Sequence, residues 1–231
     1  MQYNPIFETG NDFSYPSPKD IENYSKKVKK GKIVPTIPKC PVCNISSKEF
    51  KRHDVRERQF FIPVNQIIQI VFCLLVRWRC PACNKRIPQY PNFALPYKRY
   101  TLQTVMDFCA RYVENDQSTY KSVILEDVIG YQEYPNDYRQ IGRSTLWRWV
   151  GTLGRLKNLS QTAHRLLLEF NPASFVSRHL TMLAVPARKY ATAVRKKLLI
   201  GCRKLLHLEA AYQQSFAASL FPNLATASGF S

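Results

Sequence analysis

Two short phrases, Cys40-Pro41-Val42-Cys43 and Cys80-Pro81-Ala82-Cys83, constrain the folding of this chain more than any other feature. Two residues between cysteines let a tight turn aim both sulfurs at one point, and two such pairs supply the four thiolates of a closed tetrahedral site. The spacing therefore predicts a zinc ribbon in which Cys40, Cys43, Cys80 and Cys83 hold one structural Zn2+. Two disulfides across the same four cysteines are the alternative. The sequence shows no secretory signal that would place it where disulfides persist, which favours the metal.

The segment between the phrases has to return Cys80 to the side of Cys43. Lys48 to Ile62 and Ile67 to Arg79 both read as strands, the second rich in β-branched and aromatic residues, with Pro63-Val64-Asn65-Gln66 as the turn. An antiparallel hairpin satisfies the requirement. The run from Ile67 to Val76 is apolar except at Gln69 and is too short to span a bilayer. Cys73, inside this run, reads as a small buried apolar residue rather than a ligand.

Charge narrows the partner. The 231 residues carry 34 Lys and Arg against 16 Asp and Glu, a net charge of +18 with a pI near 9.8. Such a balance favours a polyanion, whether DNA, RNA or an anionic membrane surface, and with no membrane anchor in view nucleic acid leads. The excess is uneven. Lys and Arg against Asp and Glu number seven to four in residues 1–39, eleven to three in 40–100, seven to seven in 101–159 and nine to two in 160–231. The ribbon and the C-terminal segment are thus expected to carry most of the phosphate contact. Seven cysteines without a signal peptide point to a reducing, cytoplasmic setting, nucleoid-associated if the partner is DNA.

The expected fold class is α+β, in four regions. Residues 1–39 read as a flexible basic arm, with five prolines, no sustained period and the run Lys26-Lys27-Val28-Lys29-Lys30-Gly31-Lys32. Residues 40–100 hold the ribbon and a Pro-rich connector. In the connector Phe93, Leu95 and Tyr97 alternate like a strap on the ribbon, and Lys98 and Arg99 are candidate contacts to a nucleic-acid backbone. Residues 101–159 read as a helix-turn-helix-like domain. Thr101 caps a helix running to about Asn115, and a second covers Tyr120 to Ile129. The loop that follows, Tyr131 to Gly142, is long for a compact helix-turn-helix.

A third helix opens in Gly142-Arg143-Ser144-Thr145-Leu146-Trp147-Arg148-Trp149-Val150, with Ser144 as the expected N-cap. Leu146, Trp149, Val150 and Leu153 form its expected buried face, which turns Gly151 elsewhere and leaves Arg143, Ser144, Thr145, Trp147, Arg148, Thr152 and Arg155 as candidate DNA contacts. Hydroxyls near phosphate and Arg forks for guanine edges suit a major-groove reader. An amphipathic helix with an ordinary polar face would have the same pattern. Residues 160–231 read as a basic helical region interrupted at Pro172 and Pro186, with its strongest helix from Ala187 to about Ser219. There Ala191, Val194, Leu198, Gly201, Leu205, Leu208 and Tyr212 recur at three-four spacing, while Lys196 and Lys197 are candidate phosphate contacts. The stripe is either a homodimer seam or a face packed on its own domain, and Gly201 favours the second.

Together these residues suggest a family. The paired Cys-Pro-x-Cys phrases, the basic aromatic entry Arg77-Trp78-Arg79-Cys80 and the Ser-Thr-Leu-Trp-Arg-Trp helix resemble the front end of insertion-sequence transposases. They are also similar to short zinc-ribbon proteins of mobile elements that share the Pro-x-Phe-x-x-Pro-Tyr-Lys-x-Tyr phrase found from Pro91 to Tyr100. The resemblance covers about residues 40–157. It implies binding to double-stranded DNA at transposon ends or related sites, alongside a separate transposase or assembly protein.

Catalysis by this chain is not expected. The transposases it resembles cut DNA with three acidic residues that hold two metal ions, whereas beyond Asp137 the acids are Glu169 and Glu209 alone. His53, His164, His179 and His207 lie in no His-Glu-x-x-His arrangement, and no Gly-x-Ser-x-Gly elbow or phosphate-binding Gly-rich loop occurs. The leading expectation is a zinc-dependent DNA-binding protein of a mobile element; the alternative is an RNA-binding or assembly subunit of a nucleoprotein complex.

Overall fold

The structure is a computed structural model that describes residues 16–36, 39–64, 67–96, 98–115, 117–125, 141–183 and 192–221. Among these it is α+β, with a three-stranded antiparallel sheet and a set of helices. The chain divides into two compact units. One, the ribbon unit, contains described residues 16–104 with Phe221; the other, the helical unit, contains described residues from 105 to 125 and from 141 to 220.

In the ribbon unit β1 (Lys51–Val64) and β2 (Ile67–Arg79) form the expected hairpin, in register from Lys51 opposite Arg79 to Val64 opposite Ile67. The register shifts between Arg52 and Asp54. Just past that irregularity Asp54 accepts both Arg77 Nε, at 2.6 Å, and Arg77 Nη2. From Cys73 to Trp78 both faces of β2 are covered, whereas Phe72 stays exposed. Cys73 and Leu75 join Phe60, Ile62, Ile21 and Ala94 in one cluster, while Val76 and Trp78 join Phe50, Val28, Ile87, Cys40 and Cys80 in another. Cys73 is buried as expected, and burial pushes its thiol up to about 11.

A short strand, β3 (Arg86–Pro88), pairs with β2 from Arg77 to Arg79. It lies in the stretch expected to be a simple extended connector. Apart from Tyr97, which lies outside the described residues, the rest of that stretch does act as a strap. Phe93 packs edge-on against Tyr24 and Phe60, with ring centroids 6.0 and 5.7 Å apart, and Arg99 O accepts from Phe61 N at 2.8 Å.

The reading of residues 1–39 as a flexible arm is corrected over Pro18–Lys29, which form helix α1. Ser17 and Asp20 cap it reciprocally, Pro18 occupies the first turn, and Gly31, at φ 67°, ends it in the left-handed region. Ile21 and Val28 are fully buried, one in each apolar cluster, while the lysines face outward. The helix lies beside the edge of β2 that β3 leaves open, and Ser25 Oγ accepts from Leu74 N at 3.1 Å. The lysine run therefore belongs to the solvent side of an amphipathic helix. Met1 to Tyr15 lie outside the described residues.

In the helical unit α2 (Leu102–Glu114, its first turn counted with the ribbon unit), α3 (Tyr120–Leu125) and α4 (Arg143–Gly154) match the expected helices, apart from the end of the second, which lies outside the described residues. Thr101 Oγ1 accepts from Thr104 N at 3.4 Å, as expected of the cap. The N-cap of α4 is corrected to Gly142, so Ser144 sits within the first turn with its side chain exposed. The C-terminal region supplies α5 (Lys157–Phe170), α6 (Val176–Met182) and α7 (Ala193–Phe216). α7 packs on α4, and α5 and α6 pack on α7, all in one unit, so the expected boundary at 159/160 is not a division of the fold.

The seam of α7 is likewise corrected. Val194 is exposed, Ala191 lies outside the described residues, and the buried set is Leu199, Cys202, Leu205, Leu206, Leu208, Glu209 and Ala210. Gly201 does mark intrachain packing, because the backbones of α4 and α7 touch where it meets Gly154. A Cβ on Gly201 would lie 2.5 Å from Gly154 O, and one on Gly154 would lie 2.2 Å from Leu198 O.

Candidate functional site

Each cysteine phrase folds into the same knuckle. Cys40 N donates to Ile45 O at 2.8 Å and Asn44 N to Cys40 O at 3.0 Å; Cys80 N donates to Lys85 O and Asn84 N to Cys80 O, both at 3.0 Å. Asn44 and Asn84 take φ of 60° and 59°, a left-handed conformation that Asn tolerates better than most residues. The sequence reading passed over both asparagines. The signal was present, since both phrases continue as Cys-Pro-x-Cys-Asn.

The hairpin carries the second knuckle back to the first. The four Sγ atoms all lie within 4.8 Å of one another, with Cys40 to Cys83 at 3.5 Å and Cys43 to Cys80 at 3.4 Å. None of these cysteines is in a disulfide. A tetrahedral ion with metal–sulfur bonds of about 2.3 Å sets its sulfurs about 3.8 Å apart, so the cluster fits a four-thiolate metal site. Cys40 and Cys80 are buried in the Phe50, Val76, Trp78 and Ile87 cluster, which fixes half of the donor set from within the core.

Electrostatics agree with that use. Burial works against the Cys40 thiolate, but the N–H groups of Cys43 and Val42, together with the Cys83 and Cys43 thiols, outweigh it and bring this thiol down to about 6. At Cys43 the Ile45 N–H pulls down, yet burial and the neighbouring sulfurs prevail and push it up to about 12. Four adjacent thiolates repel one another, so the full set is stabilised only by a cation among them. Two knuckles and the hairpin between them therefore bring together four sulfurs that could hold a metal ion.

The candidate nucleic-acid contacts fall into two groups. Lys98 and Arg99 belong to the ribbon unit, where Lys98 O accepts from Arg58 Nη2 at 3.1 Å and the Arg99 guanidinium lies 6.0 Å from the Phe61 ring. The others belong to the helical unit. On α4 Leu146, Trp149, Val150 and Leu153 are buried as expected, and Arg143, Ser144, Trp147, Arg148 and Arg155 are exposed. Thr145 and Thr152 are half-buried, and the Thr152 hydroxyl donates to Arg148 O at 2.9 Å, so Thr152 is turned back onto its own helix. Gly151 is buried rather than outward-facing, beside Arg195.

Lys196 and Lys197 are exposed at the start of α7. Their neighbour Arg195, absent from the expected set, ties the surface together. Its Nη2 donates to Tyr120 Oη at 2.5 Å and to Trp147 O at 3.0 Å, and its guanidinium lies 4.7 Å from the Trp147 ring. Position in the same basic run as Lys196 and Lys197 was the only hint in the sequence. Arg143, Arg148, Arg155, Lys196 and Lys197 have no carboxylate partner among the described residues. The described acids of this unit are otherwise engaged: Asp107 with Arg111, Glu114 with Arg203 and His207, and Glu169 with Arg165. Glu209 is buried, accepting Gln213 Nε2 at 2.6 Å and Leu220 N at 2.8 Å.

Comparison with known proteins adds one finding. A family model described as a domain of unknown function (DUF6431) matches residues 40–125. The match opens on the first metal-site cysteine and takes in both knuckles, the sheet, the strap, α2 and α3, and it stops before α4. No curated protein and no solved structure matches the chain. Among the described residues no helix is long and apolar enough to cross a membrane.

Proposed function

We propose that the chain is a zinc-dependent protein that binds double-stranded DNA, with the ion holding the ribbon together and α4 docking on the duplex. The observation that carries this reading is the exposed face of α4. It presents Arg143, Ser144, Trp147 and Arg148 in one unit with Arg195, Lys196 and Lys197 of α7, with no carboxylate among the described residues to neutralise them. Arg forks and short hydroxyls on an exposed helix suit base edges and phosphates, and the net charge of +18 suits a polyanion. Zinc is the assignment for the ion because four thiolates with no open position make a structural zinc site.

The likeness of residues 40–157 to transposase front ends supports a role at the DNA of a mobile element, with a separate transposase or assembly protein performing strand cleavage. The reading gives this chain no cleavage chemistry. It places the protein in the cytoplasm, on the nucleoid, and leaves a homodimer to be decided by sedimentation.

Selection of bound fragments from a random duplex pool tests the reading directly. A shared sequence is the expected result. Equal affinity for unrelated duplexes at moderate salt would overturn it, and preference for RNA would favour an RNA-binding or assembly subunit instead. Arg148→Ala is expected to relax base preference by about 1–3 kcal/mol in competition binding, with metal content unchanged. Lys196→Gln with Lys197→Gln is expected to weaken binding to all duplexes alike. It should also reduce the slope of log affinity against log salt by about 1.8, or about 0.9 for each lost phosphate contact.

A further inference from the structure

The sheet register places three cations side by side at the metal end of the ribbon. Lys51 of β1 pairs with Arg79 of β2, and Arg79 pairs with Arg86 of β3. Residues directly opposite in neighbouring strands project from the same face, so the three side chains form one row across the whole sheet. All three are exposed, and no salt bridge reaches any of them among the described residues.

Like charges directly opposite in a sheet are destabilising. Nothing in the hairpin requires them here, since the apolar clusters already set the register and two register steps away Arg77 has its carboxylate in Asp54. The middle cation is also held in place. Asn84 Oδ1 accepts both Arg79 Nε at 3.0 Å and Arg79 Nη2 at 2.7 Å, and Asn84 is the left-handed residue that closes the second knuckle. A neutral amide orients the guanidinium without cancelling its charge. The turn that aims Cys80 and Cys83 at the metal therefore also aims Arg79.

We propose that Lys51, Arg79 and Arg86 form a phosphate-binding row that tracks the backbone of duplex DNA. The claim rests on the DNA-binding reading above and extends it to a second surface, on the other unit and chemically distinct from α4. With strands about 4.8 Å apart the row spans about 10 Å, the axial rise across about four successive phosphates on one DNA strand at about 3.4 Å per step. The row presents amines and guanidinia with no aromatic side chain among them, which suits backbone contact rather than base stacking.

The test is the salt dependence of duplex binding by the full zinc-loaded chain and by Lys51→Gln/Arg79→Gln/Arg86→Gln. The triple variant is expected to lose affinity equally for selected and unrelated duplexes, with the log–log salt slope reduced by about 2.7 for three lost contacts. Lys51→Gln/Arg86→Gln, which leaves the Arg79–Asn84 contact intact, should retain one equivalent of zinc and lose about 1.8. An unchanged slope in both variants overturns the row while leaving α4 binding in place. A slope reduced on single-stranded RNA but not on duplex overturns it in favour of the other nucleic acid. Failure of the unaltered chain to bind any duplex sinks the DNA-binding reading itself, and the row with it.

Discussion

Cys40→Ser is expected to abolish stoichiometric metal binding and to unfold the base of the ribbon. The side chain is fully buried, its Sγ lies 3.5 Å from that of Cys83, and it packs with Phe50, Val76, Trp78 and Ile87. A hydroxyl is a poor substitute for a thiolate, and the loss exposes three remaining sulfurs to mutual repulsion. In small zinc-dependent modules the binding free energy, on the order of 10 kcal/mol, is also folding free energy. The effect should therefore exceed that of an ordinary core substitution. Elemental analysis and thermal melting with and without a chelator provide the measurement. Cys73→Ser is the comparison, since Cys73 lies in the other apolar cluster and should keep its metal. One retained equivalent of ion in Cys40→Ser would show that the ligands were wrongly assigned.

Gly154→Ala should be the most damaging single-methyl change in the helical unit. The added Cβ would lie 2.2 Å from Leu198 O and 2.8 Å from Leu198 C, and the helical backbone in the second turn of α7 has no rotamer by which to withdraw. Overpacking of a core costs about 1–3 kcal/mol and occasionally more, and this contact belongs at the upper end. For a protein of this size about 3 kcal/mol corresponds to about 6–12 °C in Tm. The same displacement would pull Arg195 away from Trp147 and Tyr120, so duplex affinity should fall along with stability. An unchanged unfolding midpoint would mean that the two helices do not meet at these glycines.

Much of the ribbon was legible because its chemistry is local. Two Cys-Pro-x-Cys phrases name the ligands, and an apolar run of the right length between them leaves little but a hairpin. The buried face of α4 was legible for the same reason, its period being undiluted by proline. α1 was missed because five prolines and a dense lysine run dominate the average of residues 1–39. Yet Ser17-Pro18-Lys19-Asp20 is a capping box with proline in the first turn, and Ile21 and Val28 stand two turns apart above Gly31. β3 was too short to have a period. The α7 seam failed at Val194 because several apolar stripes can be drawn on a helix with hydrophobic residues on many sides, and only the crossing at Gly154 selects among them. Arg195 could not have been separated from its basic neighbours without knowing that Tyr120 and Trp147 lie beneath it.

The seating of α1 also bears on how the chain avoids itself. The stretch of β2 from Ile67 to Val76, apolar but for Gln69, would with one side unpaired recruit the same strand of a neighbouring molecule and grow by templated stacking. The Ser25 hydroxyl on Leu74 N–H occupies a rung that a second copy would need, and Ile21 and Val28 insulate the side chains on either face of it. Because α1 precedes β2 in the chain, the ribosome releases the guard before the strand that needs it.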